Sequence, residues 1–338
     1  MNIDESLKKL LNLENLSFSE AESAMKEIMT GKVSHIKLAS WLTALRMKGE
    51  SPEEIAGCAS VMRECSESIK CEDPKAVDIV GTGGDGANTI NVSTAAAFVA
   101  AGAGVTVAKH GNRAVSSKSG SADVLGELGV NINISPKRME ECLNSQGIAF
   151  LFAPLLHPAM KHAMPVRKEL GVRTVFNVLG PLTNPAKTKR YVLGVYDEVL
   201  CMSLARAAVN LDFDHSMIVH GSDGLDELTV TGPTHVCELK DKEIMEYKIS
   251  PEQLGFNLSK LEKLKGGTST ENAEIIREIL SGKHSGPKKD IIILNAAAAI
   301  YVADKADCWE YAIERAEESI ESGLALKKLK ALVNFTNK

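Results

Sequence analysis

Apolar residues recur at helical spacing through the first seventy positions, then collect from residue 76 onward into short runs separated by polar loops. In the first part, Ser19-x-x-Glu22 forms a capping-box pattern ahead of Ala24, Met25, Ile28 and Met29, and Gly31 stops that helix. A second helix carries Ile36, Leu38, Leu42 and Leu45 and ends near Gly49. A third opens on Ser51-Pro52-Glu53-Glu54, where a hydroxyl cap, a first-turn proline and two acids at the positive end of the helix dipole coincide; it turns Ile55, Cys58, Ala59 and Met62 inward. Nothing in these helices looks catalytic. A helical module of this size serves equally as a subunit interface or as a cap on a larger domain.

Beyond it, runs at 76–80, 105–108, 130–134, 148–152, 191–195 and 216–220 read as strands, most of them separated by helical stretches such as 136–144 and 200–210. The alternation predicts an α/β fold: a small all-helical domain plus a larger α/β domain with a central, largely parallel sheet. Residues 228–249 alternate in a β manner, with Gly232-Pro233 as the turn. Helix returns from residue 271, at 275–280, at 291–302 and in two final amphipathic segments; the run Asn295-Ala296-Ala297-Ala298-Ala299 allows close packing near a site. Ligand loops belong at the carboxyl ends of such strands. GTGGD, KHGNR and HGSDG each follow one.

The first of these loops, Gly81-Thr82-Gly83-Gly84-Asp85-Gly86, lies between a strand and Asn91-Val92-Ser93-Thr94, whose amide and hydroxyls suit the start of a helix over 95–101. Free backbone amides and the positive end of the helix dipole then face one point, which makes an anion site. The loop lacks the Lys-Ser/Thr ending of a Walker loop and the spacing of a dinucleotide fingerprint, and taken alone it is equally an ordinary tight turn. The next loop changes the balance. Lys109, His110, Arg113 and Lys118 interleave with Asn112, Ser116, Ser117, Ser119, Gly120 and Ser121, a density of cations and hydroxyls suited to an oxygen-rich polyanion. Together the two loops suit a diphosphate and a monophosphate.

Composition narrows the ligand. A net charge of -5 argues against general nucleic-acid binding, and the basic residues at 109–118 are a local feature, which favours a small anion. Seven cysteines with no CxxC pair, no Cys/His ligand spacing and no secretory signal predict a reducing, cytoplasmic setting, and Cys58 and Cys65 read as core residues. Residues 86–108 carry no charge, but Asn88, Asn91, Ser93 and Thr94 interrupt them, so a buried helix and strand are expected rather than a membrane span.

The runs GTGGDGANTINVSTA, KHGNRAVSSKSGSADVLGELG, VRKELGVRTVFNVLGPLTNP and HGSDGLDELT, in that order, resemble those of the anthranilate phosphoribosyltransferases of tryptophan biosynthesis, and with their flanks the resemblance covers nearly the whole chain. It implies transfer of the 5-phosphoribosyl group of 5-phosphoribosyl-1-diphosphate (PRPP) to the amine of anthranilate, with Mg2+ as cofactor. It implies PRPP binding by Gly81, Gly84, Asp85, Thr89, Asn91, Val92, Ser93, Thr94, Lys109, His110, Gly111, Asn112, Arg113, Ala114, Val115, Ser116, Ser117 and Ser121. Gly81, Asn112 and Arg167 then bind anthranilate, the arginine gripping its carboxylate, and Ser93, Asp226 and Glu227 ligate Mg2+, with Asp85 on ribose or magnesium-bound water. His110, Asn112 and Arg167 position substrate; no general base is identified, since an aromatic amine is already neutral at pH 7.

The resemblance further implies a discontinuous helical domain, residues 1–72 with about 160–188, forming a homodimer interface, and an α/β PRPP-binding domain of 73–159 with 189–338. Segment 173–185 becomes a wall near the aromatic substrate, and closure over PRPP would exclude water. Two other readings stay open: a pyrimidine nucleoside phosphorylase, which shares a related basic-serine loop, and a non-catalytic nucleic-acid-binding relative. Acidity and intact motifs weigh against the second. The least family-like detail is Ile90, where an aromatic is common.

Overall fold

The computed structural model describes residues 1–114 and 119–338. Among these, seven strands, β1 (Val77–Gly81), β2 (Val107–Gly111), β3 (Ile148–Phe152), β4 (Arg190–Gly194), β5 (His215–Gly221), β6 (Thr234–Lys240) and β7 (Glu243–Ile249), form one sheet in the order β3-β2-β1-β4-β5-β6-β7. The first five strands in that order are parallel, and β6 and β7 add an antiparallel hairpin at one edge. Strand order reverses between β1 and β4. In an open parallel sheet that reversal opens a crevice at the carboxyl ends, where ligands bind.

Alternation along each strand sorts side chains between two cores. Val77, Ile79, Val192, Met217 and Val219 face a core shared with helices Val92–Gly102, Pro287–Val302 and Leu324–Thr336. Tyr191, Leu193, Ile218, Cys237 and Leu239 face the other, shared with helix Val199–Asn210 and the four N-terminal helices, Ile3–Leu11, Phe18–Met29, His35–Lys48 and Pro52–Glu64. That second core also takes in Ala163, Val166, Phe176, Leu179 and Leu182, from a segment far along the chain.

Several local expectations are corrected. The capping box of helix Phe18–Met29 is Ser17 with Glu20, not Ser19 with Glu22: Glu20 Oε2 accepts from Ser17 N at 2.9 Å, and the earlier start places Ala21 fully in the core. Ile36 is 81% exposed, because Leu38, Trp41, Leu42 and Leu45 fill the inward stripe of its helix. Residues 130–134 form no strand: β3 takes the place beside β2, and Asn131 N–H is instead satisfied by the Thr336 hydroxyl at 3.1 Å. The hairpin turn is Asp241-Lys242, both left-handed at φ 53° and 68°, whereas Gly232-Pro233 precedes β6. Cys58 is buried, but Cys65 is only half-buried at a helix end. No described helix is long and apolar enough to cross a membrane.

Candidate active site

The turn that follows β5 folds back over the ends of β1 and β4, onto the crevice. Asp226 Oδ2 accepts from Gly83 N at 2.6 Å. A Cβ on Gly81 would overlap the Asp226 carboxylate, and one on Gly194 would overlap its carbonyl oxygen, so both strand ends must be glycine. Glu227 Oε1 accepts from Ser93 N at 3.2 Å, in the first turn of helix Val92–Gly102. Fully buried Asn295 pins the turn from the other side: its Oδ1 accepts from Leu228 N at 3.0 Å and its Nδ2 donates to Leu228 O at 2.8 Å.

Burial, then the neighbouring Asp85 carboxylate, push Asp226 up to about 7. Burial and Asp226 hold Glu227 well above the ordinary carboxylate range. Lys109 Nζ lies beneath, donating to Ile79 O at 2.6 Å and Ser93 Oγ at 3.3 Å; burial lowers its pKa while Asp78, Glu227 and Asp226 oppose that. Crowded carboxylates raised in this way are short of positive charge. Carboxylate and hydroxyl oxygens are the donors a hard divalent cation prefers, so Asp226, Glu227 and Ser93 fit magnesium.

The glycine loop takes left-handed conformations at Gly83, Gly84 and Gly86, and Asp85 Oδ1 accepts from Ala87 N at 3.2 Å. Thr89 bridges to Lys265. The sequence suggested that Asn91 would help start the next helix through its side chain. It stands at the N-cap but makes no side-chain cap bond: its Nδ2 donates to Ser119 O at 3.0 Å, and its Oδ1 accepts from Ser119 Oγ and Asn272 Nδ2, each at 3.0 Å. Thr94 Oγ1, in the helix's first turn, is buried without a partner. The helix N-terminus therefore has no cap from its own N-cap residue, and the Glu227 carboxylate of the acidic turn takes its Ser93 N–H instead.

In the second loop, Asn112 Oδ1 accepts from Arg113 N at 2.7 Å, and Ser121 Oγ donates to Asn112 O at 3.1 Å. Gly111 packs so closely on Ser121 and Phe150 that a Cβ would overlap both. Asp123, which sequence reasoning missed, ties the loop's two limbs together: it accepts from Ala114 N at 2.9 Å and Gly120 N at 3.0 Å and pairs with Arg113 at 3.0 Å. Val115, Ser116, Ser117 and Lys118 lie outside the described residues.

Segment 173–185 walls this site. Asp78 accepts from His110 N at 3.1 Å and from Asn184 Nδ2 at 2.8 Å, and burial raises its pKa to about 7. His110 Nε2 lies 3.2 Å from His157 Nε2, and the two rings also bond the backbone of Gly180 and Thr183. Burial lowers His110 to about 3 and His157 to about 4, so both are neutral at pH 7. His157 was overlooked, although its Leu-His-Pro follows a strand as the other site loops do. Arg173 was also overlooked; its Nη2 donates to Gly84 O at 2.6 Å and its guanidinium stacks 3.8 Å from the Tyr196 ring centre. Arg167 lies over Phe176 at 5.1 Å with its pKa lowered by burial, and no described carboxylate pairs with it. No described hydrogen bond joins Arg167 to Asn112.

Residues 4–66 match the helical bundle domain of the glycosyl transferase family and residues 73–326 match its a/b domain. The anthranilate phosphoribosyltransferase of Clostridium kluyveri is 51% identical over 335 residues, covering 99% of this chain and 100% of its own. This chain belongs to the anthranilate phosphoribosyltransferase family. The member from Acetivibrio thermocellus is 50% identical over 335 residues, 99% of this chain and 97% of its own. The crystal structure of the Thermus thermophilus anthranilate phosphoribosyltransferase superposes with a TM-score of 0.94 at 44% identity, covering 98% of this chain and 99% of that one. The Saccharomyces cerevisiae enzyme in complex with PRPP and Mg gives 0.91 at 34% identity, covering 99% and 98%. The resemblance read in the four sequence runs is thus a family relationship over the whole chain.

Proposed function

We propose that the chain transfers the 5-phosphoribosyl group of PRPP to the amine of anthranilate, yielding N-(5-phosphoribosyl)anthranilate and pyrophosphate in tryptophan biosynthesis, with Mg2+. The observation that carries this reading is the acidic turn seated against Gly81 and Gly194, with its Glu227 carboxylate on the N-terminus of helix Val92–Gly102. The bond from ribose C1 to the diphosphate breaks, the bond from C1 to the amine nitrogen forms, and the nitrogen releases one proton. Bound by Asp226, Glu227 and Ser93, magnesium supplies charge neutralisation for the diphosphate.

The two loops hold PRPP through backbone amides, hydroxyls and Lys109, with Asp85 toward the ribose. Asn112 and the unpaired guanidinium of Arg167 hold anthranilate. His110 and His157, buried and neutral, position rather than carry charge. The helical domain comprises residues 1–72 and about 160–188, supported by their common apolar core. It is also the homodimer interface; the exposed Leu11, Leu13, Ile36 and Met47 on its outer side support that assignment. Seven free cysteines suit a cytoplasmic protein. Closure of the helical domain over PRPP would exclude water; scattering profiles that coincide with and without PRPP would rule out a large movement.

The deciding experiment follows the loss of anthranilate fluorescence with protein, PRPP and magnesium. Loss that requires all three supports the transferase. No loss with folded protein sends the search to phosphorolysis of thymidine or uridine, then to nucleic-acid binding.

A further inference from the structure

At the far edge of the sheet, Cys237 of β6 stands directly opposite Glu246 of β7, and His235 lies two residues before Cys237, so all three share one face of the hairpin. Helix Val199–Asn210 covers that face, with Cys201 in its first turn and Glu198 at its N-cap. His235 Nε2 lies 3.7 Å from Cys237 Sγ and 3.2 Å from Glu246 Oε1, and the three donor atoms all lie within 4.8 Å of one another. A tetrahedral zinc ion, with bonds of about 2.0–2.1 Å to nitrogen and oxygen and about 2.3 Å to sulfur, separates its ligands by about 3.3–3.6 Å. The two measured edges are close to that.

The surroundings complete the pattern. Glu198 Oε1 lies 3.6 Å from His235 Nδ1, outside hydrogen-bond reach, and that buried ring nitrogen has no hydrogen-bond partner, while Nε2 faces the other two donors. His235 and Cys237 are buried, while Glu246 is about half exposed and gives the cluster an opening to solvent.

We propose that His235, Cys237 and Glu246 bind one zinc-class divalent cation, with water in the fourth position, and clip the β6–β7 hairpin beneath helix Val199–Asn210. A thiolate and an imidazole select a borderline cation over magnesium, so this site is distinct in chemistry from the Asp226–Glu227 pair. The sequence showed no Cys/His ligand spacing because the set is assembled across a hairpin.

The test uses the full-length protein, chelator-stripped and kept reduced, titrated with Co2+. The expected result is thiolate-to-cobalt absorption in the near ultraviolet that saturates at one equivalent, is displaced by Zn2+ and persists in excess Mg2+. Cys237→Ser abolishes the band. Glu246→Gln, at a half-exposed position, weakens Zn2+ binding about tenfold or more. Asp226→Asn leaves the band intact, and Zn2+ raises the melting temperature of the native protein but not of Cys237→Ser. Absence of a thiolate band from the reduced native protein, a band that survives in folded Cys237→Ser, or Zn2+ affinity unchanged in Glu246→Gln would each overturn the proposal.

Discussion

Asn295→Ala tests how the acidic turn is held. Asn295 is fully buried in helix Pro287–Val302, and its two bonds to Leu228, at 3.0 and 2.8 Å, satisfy a backbone N–H and a backbone carbonyl of the turn. Its third bond, to Ile291 O at 2.8 Å, lies within its own helix. Truncation leaves two buried groups of Leu228 without this partner, at about 1–3 kcal/mol each, for a loss of about 2–6 kcal/mol. The lower part of that range applies if the turn shifts or water enters the gap. Such a shift has a functional signature, because Leu228 directly follows Glu227: releasing it moves Asp226 and Glu227 away from Gly83 N and Ser93 N. Urea unfolding followed by tryptophan fluorescence measures the first effect, and steady-state kinetics at varied magnesium measure the second. We expect the PRPP KM and the magnesium requirement to rise about tenfold or more, with the anthranilate KM little changed. A stability loss below about 1 kcal/mol at unchanged m-value, or an unchanged magnesium requirement in the folded variant, would refute the argument.

Three further outcomes follow from the geometry. The His157 pKa is lowered to about 4 in the folded chain from about 6.5 when unfolded, so between those values the unfolded chain binds more protons and the His157 contribution to stability falls by about 3 kcal/mol on acidification from pH 6.5 to 4. His110 acts in the same sense and the raised Asp78 and Asp226 in the opposite one, so the His157 share is the difference between the native protein and His157→Asn. Urea midpoints at pH 5 and 7 check this, and His157→Asn should show a shallower acid slope; equal slopes contradict it. Gly194→Ala drives a methyl group into the Asp226 carbonyl and should lower kcat/KM about a hundredfold or more in protein that still folds by circular dichroism, so near-native activity would mean the turn is not fixed there. Arg167→Ala should raise the anthranilate KM about tenfold or more and leave the PRPP KM within about twofold; equal effects on both substrates would remove Arg167 from the anthranilate site.

Much of the site was legible in the chain because its demands are local. A glycine loop after a strand, a helix start beyond it, and a basic, hydroxyl-rich loop after the next strand each occupy contiguous residues. Strand alternation gave the α/β class for the same reason, since a period of two or of 3.6 is visible within a few turns of sequence. What failed locally were choices between equivalent signals: Ser17 and Ser19 each stand three residues before a glutamate, and Ile36 and Trp41 both lie on one apolar-looking helix.

The sequence by itself determined which backbone conformations and which charged and hydroxyl groups are available, and hence the anion-binding chemistry and the family. Tertiary structure alone decided which of those groups meet. Asp226 reaches Gly83 across 143 residues, and Glu227 reaches Ser93 across 134. Asn184 and Asp78, and His157 and His110, are likewise brought together by the sheet and its crossings. The physical reason is that burial, hydrogen-bond partners and pKa values are properties of neighbours in space, and strand order, not residue spacing, chooses those neighbours.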